Sequence, residues 1–258
     1  MNDPKISIIT ITYNSEKTVR STFESIRKQN YDNLEYIVID GGSTDSTLDI
    51  AKEYSDIIST IVSEPDNGIS DAMNKGIRLA TGDLIGIIHS DDMLAKNALT
   101  ILSNNWDNSI DVFYGDCMVC SEEGNKIHIL CGSDDLSKMN YGFCISHPST
   151  FVTRKAYKKY GLYDKKLKCC MDYDLFLRMY KQKANFKHIN EVLAWYRMGG
   201  TNQIMRNNTL KESCQVSIRY GGSYIIANLI KYRKKLFDIL RPLAYKIGFR
   251  NKRVKRIS

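Results

Sequence analysis

Several features are missing from this sequence of 258 residues, and each absence narrows what it does. No apolar run reaches the roughly 18 residues that cross a bilayer. The opening stretch, MNDPKISIIT, lacks the pattern of a secretory leader. A secreted or multi-spanning protein is therefore not expected, and a cytoplasmic one is. There is no GxGxxG to mark a nicotinamide site, and no GxxxxGK[ST] to mark the common phosphate-loop ATPase. Seven cysteines, an odd number, include a single CxxC (Cys117, Cys120) with no second pair at zinc spacing. They read as reduced, buried thiols rather than a metal or redox centre. Repeats and low-complexity segments are also lacking. What remains is an ordinary globular composition, 43% hydrophobic and 26% charged. Its length suits one large domain, or one domain with an appendage, that needs no disulfide or metal staple.

The net charge of +8 is unevenly spread. Residues 231–258 hold eleven Lys or Arg against one acid, Asp238, a net of +10, which leaves the other 230 residues at −2. The body is not basic, and no nucleic-acid-binding motif is present, so nucleic acid is not an expected partner.

The first hundred residues alternate between two periodicities. Lys5–Thr12 (KISIITIT), Leu34–Ile39, Ile57–Val62 and Leu84–Ile88 are short and β-branched, as buried parallel strands are. Ser15–Gln29, Ser46–Tyr54 and Ile69–Ala80 between them carry helical spacing. Strict alternation predicts right-handed crossovers and an open α/β sheet, mostly parallel. The second half is less regular: a strand over Asp111–Asp116, a hairpin over Met118–Leu130, a short helix over Asp172–Lys181, a strand over Val192–Tyr196, and helix from about Asn207.

Ligands of such sheets sit beyond the carboxyl ends of the strands. Those four ends read Thr12-Tyr13-Asn14, Asp40-Gly41-Gly42, Ser63-Glu64-Pro65-Asp66 and Ser90-Asp91-Asp92. Any one could be a turn or a cap; together they outline a site. Adjacent carboxylates at Asp91 and Asp92 repel unless a cation lies beside them. Mg²⁺ or Mn²⁺ suits such oxygens and leaves positions for a substrate phosphate. A helix N-cap before Ala95 is the competing reading, and the strand context favours the metal. Asp40 before two glycines would receive a ribose or base, and Tyr13 would stack on a base or pack half-buried. Asp71, Asn74 and Lys75, in the first turns of a helix, would touch phosphate or base or simply cap the helix. Asp172 and Asp174 begin another helix, where acids usually serve the dipole; Asp172 gains interest where a reaction needs one positioned base. His147 reads as a satisfied loop histidine rather than a ligand.

Taken in order, these segments resemble the inverting glycosyltransferases of family 2, which have the GT-A fold. ISIITITYN is similar to the family's opening strand, VIDGGSTDST to its second strand end, EPDNGISDAMNKGIRLATGD to its central helix, and IGIIHSDDML to its metal motif. MDYDLFLRMY is similar to the acidic helix on the acceptor side, and YRMGGTN to the segment after it. The resemblance runs over about residues 5–200 and lies nearest to enzymes that assemble bacterial surface polysaccharides such as colanic acid, capsule, O-antigen or lipopolysaccharide. It implies a catalytic domain over 1–205, with a nucleotide-sugar half (1–116) and an acceptor half (117–205), followed by a helical basic extension, 206–258. It further implies that Thr12, Tyr13, Asn14, Asp40, Asp71, Asn74, Lys75 and Asp91 surround a nucleotide sugar, UDP-linked first of all. Asp91 and Asp92 would hold Mn²⁺ or Mg²⁺, Asp92 most directly, and Asp172 would be the general base. Two positions depart from the family pattern. Gly41 stands where a second acid often reads a uracil edge, with Asp71 as the expected substitute, and Met171 replaces the first acid of the usual Glu-Asp pair.

From Tyr224 to Ile247, apolar and basic residues interleave, the pattern of a helix lying on an anionic membrane surface. Polybasic attraction there is worth roughly 1 kcal/mol per charge. This places residues 231–258 against the inner face of the cytoplasmic membrane, beside an acceptor glycan on a lipid carrier. A helix packed on the domain with a disordered end is the other reading. Two further functions compete: a sugar-1-phosphate nucleotidyltransferase, for which TYNSEKTVR supplies no glycine-rich basic loop, and a non-catalytic nucleotide-sugar-binding protein at the membrane.

Overall fold

The computed structural model describes residues 3–142, 144–199, 206–246 and 254–256. The expected alternation is present: β1 (Ile6–Thr12), α1 (Val19–Arg27), β2 (Leu34–Asp40), α2 (Thr47–Lys52), β3 (Thr60–Ser63), α3 (Ile69–Leu79) and β4 (Leu84–Ile87). Strands β4, β1, β2 and β3 lie side by side and parallel, so their carboxyl ends share one edge. Alternate residues of β1 and β2 face opposite ways, and both faces are buried. Ile9, Ile11, Ile37 and Ile39 join α3 in one core, while Ile6, Ile8, Tyr36 and Val38 join α1 in the other. Burial on both faces is why these strands read as continuous apolar runs instead of alternating ones.

The second half completes the same sheet. After the short β5 (Met93–Leu94) and α4 (Ala98–Asn104), β6 (Val112–Cys120) runs as one nine-residue strand and forms a hairpin with β7 (Lys126–Leu130). Two elements not anticipated from sequence follow, β8 (Thr150–Thr153) and α5 (Arg154–Tyr160). β8 inserts antiparallel between β4 and β6. Four residues are too few for a strand pattern, and pairing on both sides is what keeps them extended. α6 (Met171–Lys181) leads to β9 (Phe186–Arg197), which lies parallel to β6 and antiparallel to β5. The sheet is thus mixed, with a parallel core.

Two helices, α7 (Arg206–Arg219) and α8 (Tyr224–Lys246), lead away from the sheet, and β10 (Val254–Arg256) pairs antiparallel with β7. This strand replaces, over its three residues, the disordered end weighed as one fate of the tail; residues 247–253 and 257–258 lie outside the described part. Among the described residues no helix is long and apolar enough to cross a membrane. Cys117 and Cys120 are buried in β6, and no disulfide forms.

Candidate active site

The aligned register of the parallel strands sets Thr12 beside Asp40 and Asp40 beside Ser63. Asp40 is completely buried, and donors surround it. It accepts from Thr12 Oγ1 (2.9 Å), Ser63 Oγ (2.8 Å), the Gly42 and Ser43 amides (3.0 and 2.9 Å) and Ser43 Oγ (2.5 Å). Burial opposes its charge, but the Ser43, Ser63 and Thr12 bonds outweigh burial and hold the carboxyl below its usual range. Asp40 and Thr12 therefore tie three strand ends together, at the edge where they are expected to face a nucleoside. Sequence reading missed this because the donors come from strands 28 and 23 residues away.

Gly41 and Gly42 serve that turn in different ways. Gly42 has φ +85°, which favours glycine. At Gly41 a Cβ would lie 2.5 Å from Asp66 Oδ2 and 3.4 Å from the Tyr13 ring. The space above Gly41 thus belongs to the Asp66 carboxylate, whose Oδ1 accepts the Gly68 amide (2.8 Å), and to Tyr13, which is 65% exposed. Asn14, in the left-handed region at φ 46°, accepts from the Thr44 amide (2.9 Å) and donates its own amide to Ser43 Oγ (2.9 Å). Ser15 reaches Ser90 at 2.8 Å, joining this loop to the β4 end.

The three α3 residues have other partners. Asp71 pairs with Lys165 (2.8 Å) and accepts the Asn67 amide (3.2 Å), contacts that hold its carboxyl low. Asn74 is buried, and both ends of its amide bond the Tyr163 backbone, at 2.9 and 3.0 Å. Lys75 pairs with Glu64 (2.8 Å) and donates to the Pro65 carbonyl (3.1 Å). In the structure they fasten the 64–67 and 163–165 loops to α3. The carboxylate beside Gly41 is Asp66, not Asp71.

At the β4 end the two adjacent acids differ. Asp92 is 2% exposed, and its Oδ1 accepts the Arg197 amide (3.1 Å). Burial and the neighbouring charge of Asp91 push its carboxyl well above the usual range. Asp91 is half-buried, and its carboxylate has no ion pair among the described residues. Asp91 is the more accessible of the two oxygen donors, and Asp92 is tied to the end of β9 through the Arg197 amide. Arg197, at the end of β9, donates to the Asp91 carbonyl (3.1 Å), the Glu122 carbonyl (2.6 Å) and Ser21 Oγ (2.9 Å). Its part was not read from the sequence; the neighbouring Gly200, Thr201 and Asn202 lie outside the described residues. Among the described residues no three potential ligands converge. A hard divalent cation bound by one or two carboxylates with substrate phosphate and water needs no such cage, so the pair fits Mg²⁺ or Mn²⁺.

A row of side chains leads from this end towards α6. The His89 and His147 rings lie 5.2 Å apart, and His147 Nε2 meets Tyr163 Oη at 3.0 Å. Burial, with the charge of His89, pushes His147 down to about 3, and the bond to Tyr163 satisfies its ring. The Tyr163 phenol is raised by burial, by Tyr157 and by the charge of Asp172. Asp172, in the first turn of α6, accepts the Tyr173 amide at 2.7 Å. Burial outweighs that bond and lifts Asp172 to about 6. Its helix neighbour Asp174 is instead fully buried against Arg219 (2.7 Å).

Parallel strand ends, an accessible acid after β4 and a raised carboxylate at the start of α6 are features of an α/β enzyme site. The model of glycosyl transferase family 2 matches residues 7–185, and the chain belongs to that family; it is a glycosyltransferase with the GT-A fold. It is 27% identical over 264 residues to a PGL/p-HBAD biosynthesis glycosyltransferase of Mycobacterium tuberculosis, covering 98% of this chain and 100% of the relative. Among solved structures it is similar to the mannosyltransferase PcManGT of Pyrobaculum calidifontis in complex with GDP-Man and Mn²⁺ (18% identity, TM-score 0.68, 95% of this chain and 72% of that one). It is also similar to TarS 1–349 of S. aureus in complex with UDP-GlcNAc (16% identity, TM-score 0.63, 95% and 76%).

Proposed function

We propose that the chain transfers a sugar, with inversion, from a nucleotide sugar to a hydroxyl of a lipid-linked surface glycan. The observation that carries this reading is the Asp172 carboxylate, raised to about 6 by burial and paired with no cationic side chain among the described residues. A base tuned towards neutral pH is ionised when needed and still takes a proton. The acceptor hydroxyl gives its proton to Asp172 as its oxygen bonds to the anomeric carbon. The bond from that carbon to the diphosphate breaks, and the nucleoside diphosphate leaves with the electron pair. Asp91 would hold Mn²⁺ or Mg²⁺, which when bound supplies positive charge against the departing diphosphate. Tyr13 offers its exposed ring to the base. Asp66 Oδ2 beside it accepts from a base N–H, which favours uracil, thymine or guanine over bases that lack an edge imide.

The relative named for PGL/p-HBAD biosynthesis supports a biosynthetic role, and the solved structures with GDP-Man and UDP-GlcNAc support a nucleotide-sugar donor with either nucleobase. An anionic membrane surface is the proposed partner of α8, and the cytoplasmic face the proposed location. The test is nucleoside diphosphate release from UDP-, GDP- and dTDP-sugars with Mn²⁺ present. One donor class should dominate, and its KM should rise about tenfold or more in Asp66→Asn, since a site built to hydrogen-bond discriminates strongly. Equal KM values would remove Asp66 from base reading.

A further inference from the structure

We propose that α7, which lies outside the matched family region, is part of the acceptor-side machinery, with Glu212 as the residue that positions Asp172. This rests on the reading of Asp172 as the base. The Glu212 carboxylate accepts three successive backbone amides, those of Lys168 (3.0 Å), Cys169 (2.8 Å) and Cys170 (3.0 Å). These residues lead directly into α6, and Asp172 follows two positions later. Chains enter helices with unsatisfied N–H groups, usually capped by Ser, Thr, Asp or Asn. Here the N-cap is Cys170, whose side chain provides no cap. The carboxylate that the local sequence lacks is supplied from α7, 42 residues later.

The contact is not isolated. Glu212 and Arg219 are seven residues apart, hence on one face of α7. Arg219 pairs with Asp174 in the same first turn of α6 (2.7 Å) and with Asp164 (3.1 Å), and Tyr220 donates to Asp174 (3.2 Å). Cys170 Sγ donates to the Thr209 carbonyl at 3.4 Å. Both sides of the turn that carries Asp172 are therefore gripped by α7. Bonds of this kind, with one charged partner, are stronger than neutral ones, so the grip fixes the setting of that turn. The groups facing Asp172 and its turn are the Tyr163 phenol and the Cys169 and Cys170 thiols, which feel its charge, with Glu212 on α7 and Lys234 on α8 also acting at Cys170.

If Glu212 only stabilised the fold, its loss would lower the melting temperature and leave the titration of Asp172 unchanged. The deciding experiment is a carboxyl ¹³C NMR titration of the whole chain, with the Asp172 signal identified by its loss in Asp172→Asn. The wild-type midpoint is expected at about 6. In Glu212→Ala the loosened turn admits water and lessens the burial that raises Asp172, so the midpoint should fall by about one unit or more towards the ordinary carboxylate range. Glu212→Gln, which keeps one acceptor oxygen, should fall between the two, and it serves if the alanine variant does not fold. In the nucleoside diphosphate assay, kcat should drop about 10–100-fold with donor KM unchanged. An unchanged Asp172 midpoint in either folded variant overturns the proposal. Full activity in Asp172→Asn would instead overturn the base reading, a separate outcome.

Discussion

Asp40, Asp92 and Asp172 are all acids close to the carboxyl edge of one sheet, and their surroundings give them different work. Asp40 is held low by hydroxyl and amide donors, so its stabilisation is present above its unfolded value and lost as pH falls through the lowered folded one. Asp40→Ala should cost about 3 kcal/mol and flatten the acid limb of a pH-dependent unfolding curve; an unchanged limb would deny Asp40 this role. Asp92 is pushed up by burial and by Asp91, and its Oδ1 accepts the Arg197 amide. Asp91→Asn should abolish the Mn²⁺ dependence of nucleoside diphosphate release. Asp92→Asn should act mainly on melting temperature, and the opposite pattern would restore Asp92 as the direct ligand. Sequence inspection identified these residues as a group but not the protein partners that set them apart. The bonds that distinguish them, such as Ser63 to Asp40 or Arg197 to Asp92, join segments far apart in the chain.

At the scale of elements, the β-α alternation through β4 was legible because β1, β2 and β4 are buried on both faces, while β3 is an exposed edge strand marked by its β-branched run. β8 was not, since only its neighbours β4 and β6 hold it extended. The hairpin was placed correctly, but its first strand extends back to Val112. The basic helix α8 is more sharply defined in structure than in sequence. Ile225, Leu229, Tyr232 and Leu236 are 70%, 63%, 63% and 57% exposed, at spacings that place them in one stripe. Lys231, Arg233, Lys234 and Lys235 interleave with them. Apolar exposure on this scale marks a binding face, and a basic rim matches an anionic bilayer. Leu229→Glu together with Leu236→Glu should reduce sedimentation with phosphatidylserine-containing liposomes at least tenfold, by loss of buried apolar area and added repulsion. Unchanged sedimentation would exclude this stripe as the membrane contact. Substitution is preferable to deleting residues 231–258, because Val254–Arg256 belong to the sheet.

For the whole molecule, the charge of +8 separates into a near-neutral catalytic body and a +10 end. The body gathers acids at one edge, while the end carries the basic helix and returns to the sheet at β10. α7 stands between them, touching the turn that bears Asp172 on one side and α8 on the other. A divided charge of this kind suits the proposed placement at an anionic surface. The proposed chemistry depends on one proton acceptor. The most direct measurement is the pH dependence of kcat for nucleoside diphosphate release, in wild type and in Asp172→Asn. Because burial raises Asp172, activity should be full above pH 7 and fall as pH drops through about 6. The variant should lose about 10²–10⁴-fold at every pH, and with it that limb. A variant that keeps wild-type rates, or the same limb, would contradict Asp172 as the general base.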